Sequence, residues 1–304
     1  MHIHYKAEGV ALSLYQEMSG SVRFKNNKKK QNHMKKQISD KNVLITGVNS
    51  GIGREIAVLL AAHGARVFGT VRNLGSAQPV EGVELITMNV DSDDEVAEGI
   101  ASVQKRAGVI HHLVNNAGYA LTGAIEETSM EEARRQFETN FFGLFRLTKA
   151  VLPGMRGQKY GRIVNISSAF GFLPAPGLGF YGATKHAVEG FTETLDHEVR
   201  PFGIRALLVE PAFTKTRFNA NSHQVAGTVD AYNKLRETMQ GVREWSINNG
   251  DPVSGVAGAV FGALTDDFPK LRYPVGKAVT LSRLRRFVPA SAFDKSFRRQ
   301  FKLD

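Results

Sequence analysis

An α/β fold, a doubly wound parallel sheet with helices on both faces in a single domain, is what the sequence predicts. Three observations carry this. Short β-rich runs are nearly continuous in apolar residues, windows of helical spacing lie between them, and a glycine turn follows the first run directly. With 304 residues, 42% of them hydrophobic, the chain can bury the core such a fold needs.

The elements follow in order. "NVLIT" (42–46) reads as the first strand, and "TGVNSGIG" turns it into a helix from Arg54, with Ile56, Leu59, Leu60 and His63 at helical spacing. "ARVFGTV" (65–71), "VELITM" (83–88) and "HHLVNN" (111–116) are the next strands. Phe141, Leu144, Phe145 and Thr148 mark a helix, "GRIVNIS" (161–167) a strand, Val188, Phe191 and Leu195 another helix, and "IRALLVE" (204–210) a sixth strand. "KLRYPVG" (270–276) is a late strand. One domain therefore spans 41–304, and the polar stretch from about 213 to 250, with "NANSHQ" and "INNGDP", is expected to be a mobile substrate lid.

Composition excludes several classes of function. There is no cysteine, so disulfides, thiolate metal sites and cysteine nucleophiles drop out. No run of 18 apolar residues and no apolar leader is present, and the expectation is a cytoplasmic protein. The net charge of +10 sits at the ends: residues 1–40 carry 8 basic and 3 acidic side chains, residues 270–304 carry 10 and 2, and the middle is slightly acidic. No recognition motif accompanies this charge, so a nucleic-acid partner is not expected. Residues 1–40, with "SVRFKNNKKKQNHMKKQISD", read as a disordered basic extension in which Met18 and Met34 are alternative starts. Near the other end Phe293, Phe297 and Phe301 form an apolar stripe among Lys295, Arg298, Arg299 and Lys302. It is expected to close over the core or a partner subunit rather than to meet a membrane.

The turn "TGVNSGIG" places Gly47, Gly51 and Gly53 between a strand and a helix. Glycines there let the backbone approach a pyrophosphate, and the helix N-terminus offers free N–H groups, so a Rossmann-type dinucleotide site is predicted. Two Tyr-x-x-x-Lys pairs occur, Tyr181/Lys185 in "FYGATKHAVEGF" and Tyr273/Lys277 in "YPVGK". Only the first can lie on one helix face, because Pro274 and Gly276 interrupt the second. A tyrosine is too weak an acid to protonate a carbonyl oxygen near neutral pH. A lysine ammonium about 4.5 Å away contributes roughly 3.7 kcal/mol at an effective dielectric near 20, which would bring the phenol to about 7 to 8 before burial offsets part of it.

"TGVNSGIG", "NNAG" (115–118), Asn140 in "ETNFFG", "NISS" (165–168) and "YGATK" (181–185), in this order, resemble the short-chain dehydrogenase/reductase superfamily in its compact branch. The resemblance covers about 41–280 and implies hydride transfer between a nicotinamide and a carbonyl. It implies Tyr181 as acid/base, Lys185 as its partner and a holder of the nicotinamide ribose, Ser168 as a donor to the substrate oxygen, and Asn140 as the residue that positions a water beside the lysine. For the nucleotide it implies Gly47, Asn49, Ser50, Gly51, Ile52 and Gly53 at the pyrophosphate, and Asn116, Ala117 and Gly118 along the adenosine ribose. Val90 and Asp91 would border the adenine, and Thr214, with Thr216 as the competing choice, would meet the nicotinamide. Where the family usually reads Pro-Gly after the sixth strand, this chain has Pro211-Ala212.

The family places the acidic residue of its NAD-dependent members at position 71, which here is Val71. Arg72 follows, able to pair with a 2′-phosphate, so NADP is expected over NAD, with NADPH preferred to NADH. Phe170, Phe172, Leu173, Pro174, Phe180, Phe213 and Phe218 make the surrounding loops apolar, with Phe170, Phe180 and Phe213 expected against the substrate. The expected substrate is a small-molecule apolar alcohol or carbonyl compound, with a lining that would suit a bulky one, and the expected assembly is a homodimer or homotetramer. The competing reading is a nucleotide-binding regulator or scaffold without turnover, which the complete Asn140, Ser168, Tyr181 and Lys185 set disfavours.

Overall fold

The computed structural model describes residues 37–216 and 222–300. Residues 1–36, Phe218 and Phe301 lie outside them, so the expectations placed there have no counterpart below. The first strand, β1 (Asn42–Thr46), leads through the glycine turn into α1 (Gly51–Ala62), and then come β2 (Arg66–Val71) and β3 (Val83–Thr87). α2 (Asp93–Ala107) starts at Ser92, whose hydroxyl accepts from the Glu95 amide. Three acidic residues sit in its first turn and Lys105 and Arg106 in its last, so its charges match the helix dipole at both ends. β4 (His112–Asn115) and the two-residue β5 (Leu121–Thr122) precede α3 (Met130–Phe137), which opens with a Ser129/Glu132 capping box. A π-helical segment, Glu138–Phe142, joins α3 to α4 (Gly143–Gly157).

After β6 (Gly161–Ile166) comes the longest helix, α5 (Gly179–Val199), and then β7 (Ile204–Pro211). β8 (His223–Gln224), α6 (Asn233–Asn249), α7 (Val253–Thr265), β9 (Arg272–Val275), α8 (Ala278–Phe287) and α9 (Ala290–Gln300) complete the order. Seven strands form one sheet in the order β3-β2-β1-β4-β6-β7-β9, and all of its pairings are parallel. The strand order reverses direction between β1 and β4, which leaves a crevice at the carboxyl ends of the strands. Pro274 is accommodated because β9 is an edge strand.

The period of two along β1 divides the core. Val43 and Ile45 face a layer with Ile56 and Leu60 of α1 and Val256 and Val260 of α7, while Leu44 faces Leu147 of α4, Val103 of α2 and Leu195 of α5. One correction to the sequence reading follows. Residues 37–40 are not part of a disordered extension: Ile38 is fully buried in the first of these layers, and the Asp40 amide donates to the Gly64 carbonyl at 3.0 Å. Val71, which ends β2, is buried in the same layer, and Arg72 beyond it is exposed.

The apolar stripe near the C-terminus turns back onto the chain. Phe293 packs with Leu281, Ala278, Leu173 and Phe172, and Phe297 stacks on Phe293 with centroids 6.0 Å apart. In the expected lid region, the side chain of Glu127 fastens the segment to the core. Its carboxylate accepts from the amides of Ala124 and Val229 and pairs with Arg236.

Ile38→Ala should lower the unfolding free energy by about 2–5 kcal/mol, as expected for a fully buried branched side chain. Denaturant unfolding checks this, and a change within about 0.5 kcal/mol would show that the segment before β1 contributes no core.

Candidate active site

The site is built from strand ends. At β1, the Thr46 hydroxyl accepts from the amides of Asn116 and Ala117 at 3.0 and 2.9 Å, and the Asn116 side-chain amide donates to the carbonyls of Thr46 and Gly47. The "NNAG" stretch is thus tied to the glycine turn across the crevice. Gly47 and Gly51 have φ of +74° and +61°, where a side chain is strained. A Cβ on Gly53 would lie 2.3 Å from the Gly47 carbonyl oxygen and 2.5 Å from the Asn116 amide nitrogen. Asn49 is exposed on the turn, Ile52 lines the cleft, and Ser50 precedes α1 without a side-chain capping bond. The first turn of α1 carries no acidic residue. Backbone held this close to open space, at a helix N-terminus free of negative charge, fits a pyrophosphate.

Around this turn Arg72 is exposed just beyond β2, Val90 is buried against Gly143, and the Asp91 carboxylate accepts from the Thr139 hydroxyl at 3.0 Å. Asn140 lies in the π-helical segment, a local form that often marks functional positions, and is buried. Its side chain is engaged on both sides. The oxygen accepts from the Tyr119 amide at 3.0 Å, and the nitrogen donates to the Tyr119 carbonyl and to the Thr184 hydroxyl at 3.2 Å. A Cβ on Gly118 would approach that oxygen to 3.0 Å.

The Tyr181/Lys185 pair is on one face of α5, and both side chains are buried. Ser168, just past β6, shares a hydrogen bond with the Tyr181 phenol. The Lys185 ammonium donates to the Ile166 carbonyl at 2.8 Å and stands 5.7 Å from the Tyr181 ring centroid. Burial pushes the phenol up to about 12, against the opposing pull of Ser168, and pushes the ammonium down to about 8, against the pull of Glu189. The expectation that lysine brings the phenol to about 7 to 8 is therefore corrected. Desolvation outweighs a cation that is itself loosely protonated and turned toward a backbone carbonyl. The other pair is separated as the sequence reading expects: Tyr273 is in β9, its hydroxyl accepting from the Lys270 amide, while the Lys277 ammonium lies 4.3 Å from the Trp245 ring centroid.

One cleft brings together Ile52, Asn116, Gly118, Ser168, Tyr181, Lys185 and Thr214. Thr214 is buried, and Thr216, also lining the cleft, would lie 3.5 Å from a Cβ on Gly51 of the glycine turn. Phe170 and Phe213 line it and meet edge to face at 5.9 Å. Phe180 is not among the described residues that line it, and Phe172 and Leu173 turn away to the α8–α9 contact. Leu178, Met239 and Val242 supply apolar wall that sequence reasoning missed, since two of these come from α6 and nothing in their local pattern points at the cleft. Thr46 was missed as well; its position as the residue that ends β1 is the signal that would have found it. Ala212 keeps an ordinary negative φ, which is why alanine serves where the family usually has glycine.

The sequence profile described as short chain dehydrogenase matches residues 41–226. The chain is 35% identical to 3-ketodihydrosphingosine reductase of Bacteroides thetaiotaomicron over 78% of its own length and 88% of that protein's. It is 30% identical to the NADPH-dependent 3-dehydrocapnine reductase of Ornithobacterium rhinotracheale, over 85% and 96%. The crystal structure of a short-chain dehydrogenase from Streptomyces avermitilis superposes with a TM-score of 0.73 at 35% identity, over 85% of this chain and 97% of that one. With its parallel seven-stranded sheet, its glycine turn and these relatives, the chain belongs to the short-chain dehydrogenase/reductase family, oxidoreductases acting on CH–OH/C=O groups with NAD(P).

Proposed function

We propose that the protein is an NADP-dependent oxidoreductase of a hydrophobic alcohol/ketone or aldehyde pair, working mainly as a carbonyl reductase. The observation that carries this reading is the convergence of Ser168, Tyr181 and Lys185 on one wall of a cleft whose other walls are Phe170, Phe213, Met239 and Val242. The glycine turn, Asn116 and Lys185 would hold a nicotinamide dinucleotide, which when bound would supply the hydride. Ser168 holds the substrate oxygen, and the Tyr181 phenol, pushed up by burial, keeps its proton through the neutral range and donates it to that oxygen. Lys185 stabilises the phenolate left behind while its ammonium is charged. The relatives named as reductases of 3-ketodihydrosphingosine and 3-dehydrocapnine support an apolar ketone. No helix of the described residues is long and apolar enough to cross a membrane.

NADPH is the proposed reductant. Arg72 is exposed at the end of β2, position 71 holds buried valine instead of a carboxylate, and Ser50 leaves its hydroxyl uncommitted to capping. The relative named as NADPH-dependent supports the same choice. We further propose that the 213–250 segment closes over the bound substrate and that the enzyme assembles as a homodimer or homotetramer.

Tyr181→Phe should lower the rate of ketone reduction by roughly 100-fold or more while leaving NADPH affinity within a few fold, because the phenol meets substrate and not nucleotide. Tyr273→Phe should leave the rate almost unchanged. Steady-state turnover with fluorescence titration of NADPH separates the two effects, and equal losses from both tyrosine variants would refute the assignment.

Arg72→Ala should raise the KM for NADPH by roughly 10-fold, the cost of a charge-assisted contact, and leave that for NADH nearly unchanged. Equal use of both nucleotides by the parent, with no response to Arg72→Ala, would remove the NADPH reading and leave the Tyr181 assignment standing.

Because the Lys185 ammonium is lowered to about 8, reduction should be fully active below that pH and fall as pH rises through it. A rate profile flat well into the alkaline range would show that charged Lys185 is not needed.

A further inference from the structure

Three consecutive residues at the end of β6 grip three residues of α5 spaced one turn apart. Ser168 shares a hydrogen bond with Tyr181, the Ile166 carbonyl accepts from Lys185, and the Ser167 hydroxyl donates to Glu189. Glu189 extends the Tyr181–Lys185 face by one more turn, and Glu193 extends it again.

At the far end of this face stands Arg272 of the edge strand β9. Its guanidinium pairs with Glu189 and with Glu210 of β7, and reaches Glu193 at 2.8 Å. Glu189 and Glu210 are 5% and 2% exposed, so two buried carboxyl groups meet one guanidinium whose own side chain is 35% exposed. Burial, with the Glu189 carboxyl beside it, pushes Glu210 up to about 8. Gly171 makes room for the arrangement: a Cβ there would come within 2.7 Å of the Ser167 hydroxyl and 2.8 Å of the Glu189 carboxylate.

We propose that Glu189 is a positioning residue for the Tyr181–Lys185 pair, clamped by Arg272 to the edge of the sheet, fastened to β6 through Ser167, and presenting its negative charge to the Lys185 ammonium one turn away. The proposal rests on the reading of Tyr181 and Lys185 as the reacting pair. Its consequence is electrostatic as well as geometric. The Lys185 ammonium is buried and resides against a single backbone carbonyl, and Glu189 is the nearby charge that opposes its desolvation. The charged groups facing Glu189 among the described residues are Lys185 and Glu193 on its own helix, Glu210 on β7 and Arg272 on β9.

Glu189→Gln keeps the shape and the acceptor for Ser167 and removes the charge. Two readings test it: the alkaline fall of the reduction rate, and the titration of the Lys185 side-chain nitrogen followed by NMR in the nucleotide-free protein, assigned by its loss in Lys185→Ala. Both midpoints should move down by about one pH unit, the size expected for an opposite charge at this range. Glu189→Asp should restore most of the shift, and Glu198→Gln, which removes an exposed charge from the same helix, should move neither. If Glu189→Gln melts below the assay temperature, the Glu189→Gln/Arg272→Met double variant removes both partners together, avoids an uncompensated buried cation, and should show the same downward movement. An unchanged NMR midpoint in whichever of the two variants folds would overturn the proposal, even if the rate were reduced. A shifted NMR midpoint with a rate that never depended on Tyr181 would leave the Glu189–Lys185 coupling in place and remove the proposed function instead.

Discussion

The grip of β6 on α5 is the constraint on which the proposed chemistry depends. A tyrosine and a serine from separate elements must meet within hydrogen-bond range. The strand terminates where its backbone carbonyls lose their ladder partners, and one of these, on Ile166, takes the Lys185 ammonium. Ser167 and Ser168 then use their side chains on the same helix, so the strand end is secured by polar bonds at successive helical turns. Those bonds form in a water-excluded place, where they are stronger and where an unmade one costs most.

Burial also sets the protonation states. It raises the phenol and lowers the ammonium, opposite to what attraction between the charged forms would do. In the nucleotide-free protein the pair is thus closest to neutral tyrosine beside a lysine that changes charge near pH 8, a state suited to giving a proton to a substrate oxygen. A carboxylate network behind the lysine, anchored on Arg272, offsets part of the desolvation cost.

The nucleotide side depends on a different tie. Thr46 ends β1, and its single hydroxyl receives two amides from the loop after β4. That bridges the two strands between which the sheet changes direction, and Asn116 adds bonds to the carbonyls on the glycine turn. The turn is therefore braced from the opposite wall of the crevice. This explains why Gly53 admits no side chain: the bracing groups occupy the space a Cβ would need.

By itself the sequence determined the α/β class, the strand–turn–helix unit and the distinction between the two tyrosine–lysine pairs, because each rests on local rules. Alternating apolar runs, positive-φ glycines and the inability of Pro274 and Gly276 to continue a helix act within a few residues of one another. Tertiary structure decided what depends on contacts distant in the chain. Ile38 belongs to the core only because α1 and α7 cover it, and Phe180 misses the cleft while Leu178 and Met239 enter it because loop and α6 geometry set which side chains turn inward. The carboxylates on Arg272 of β9 come from α5 and β7, so three elements meet at a point that no spacing announces. The reversal of the expected tyrosine shift has the same origin: a charge separation can be guessed from a helical spacing of four, but the depth of burial that opposes it is a property of the folded chain alone.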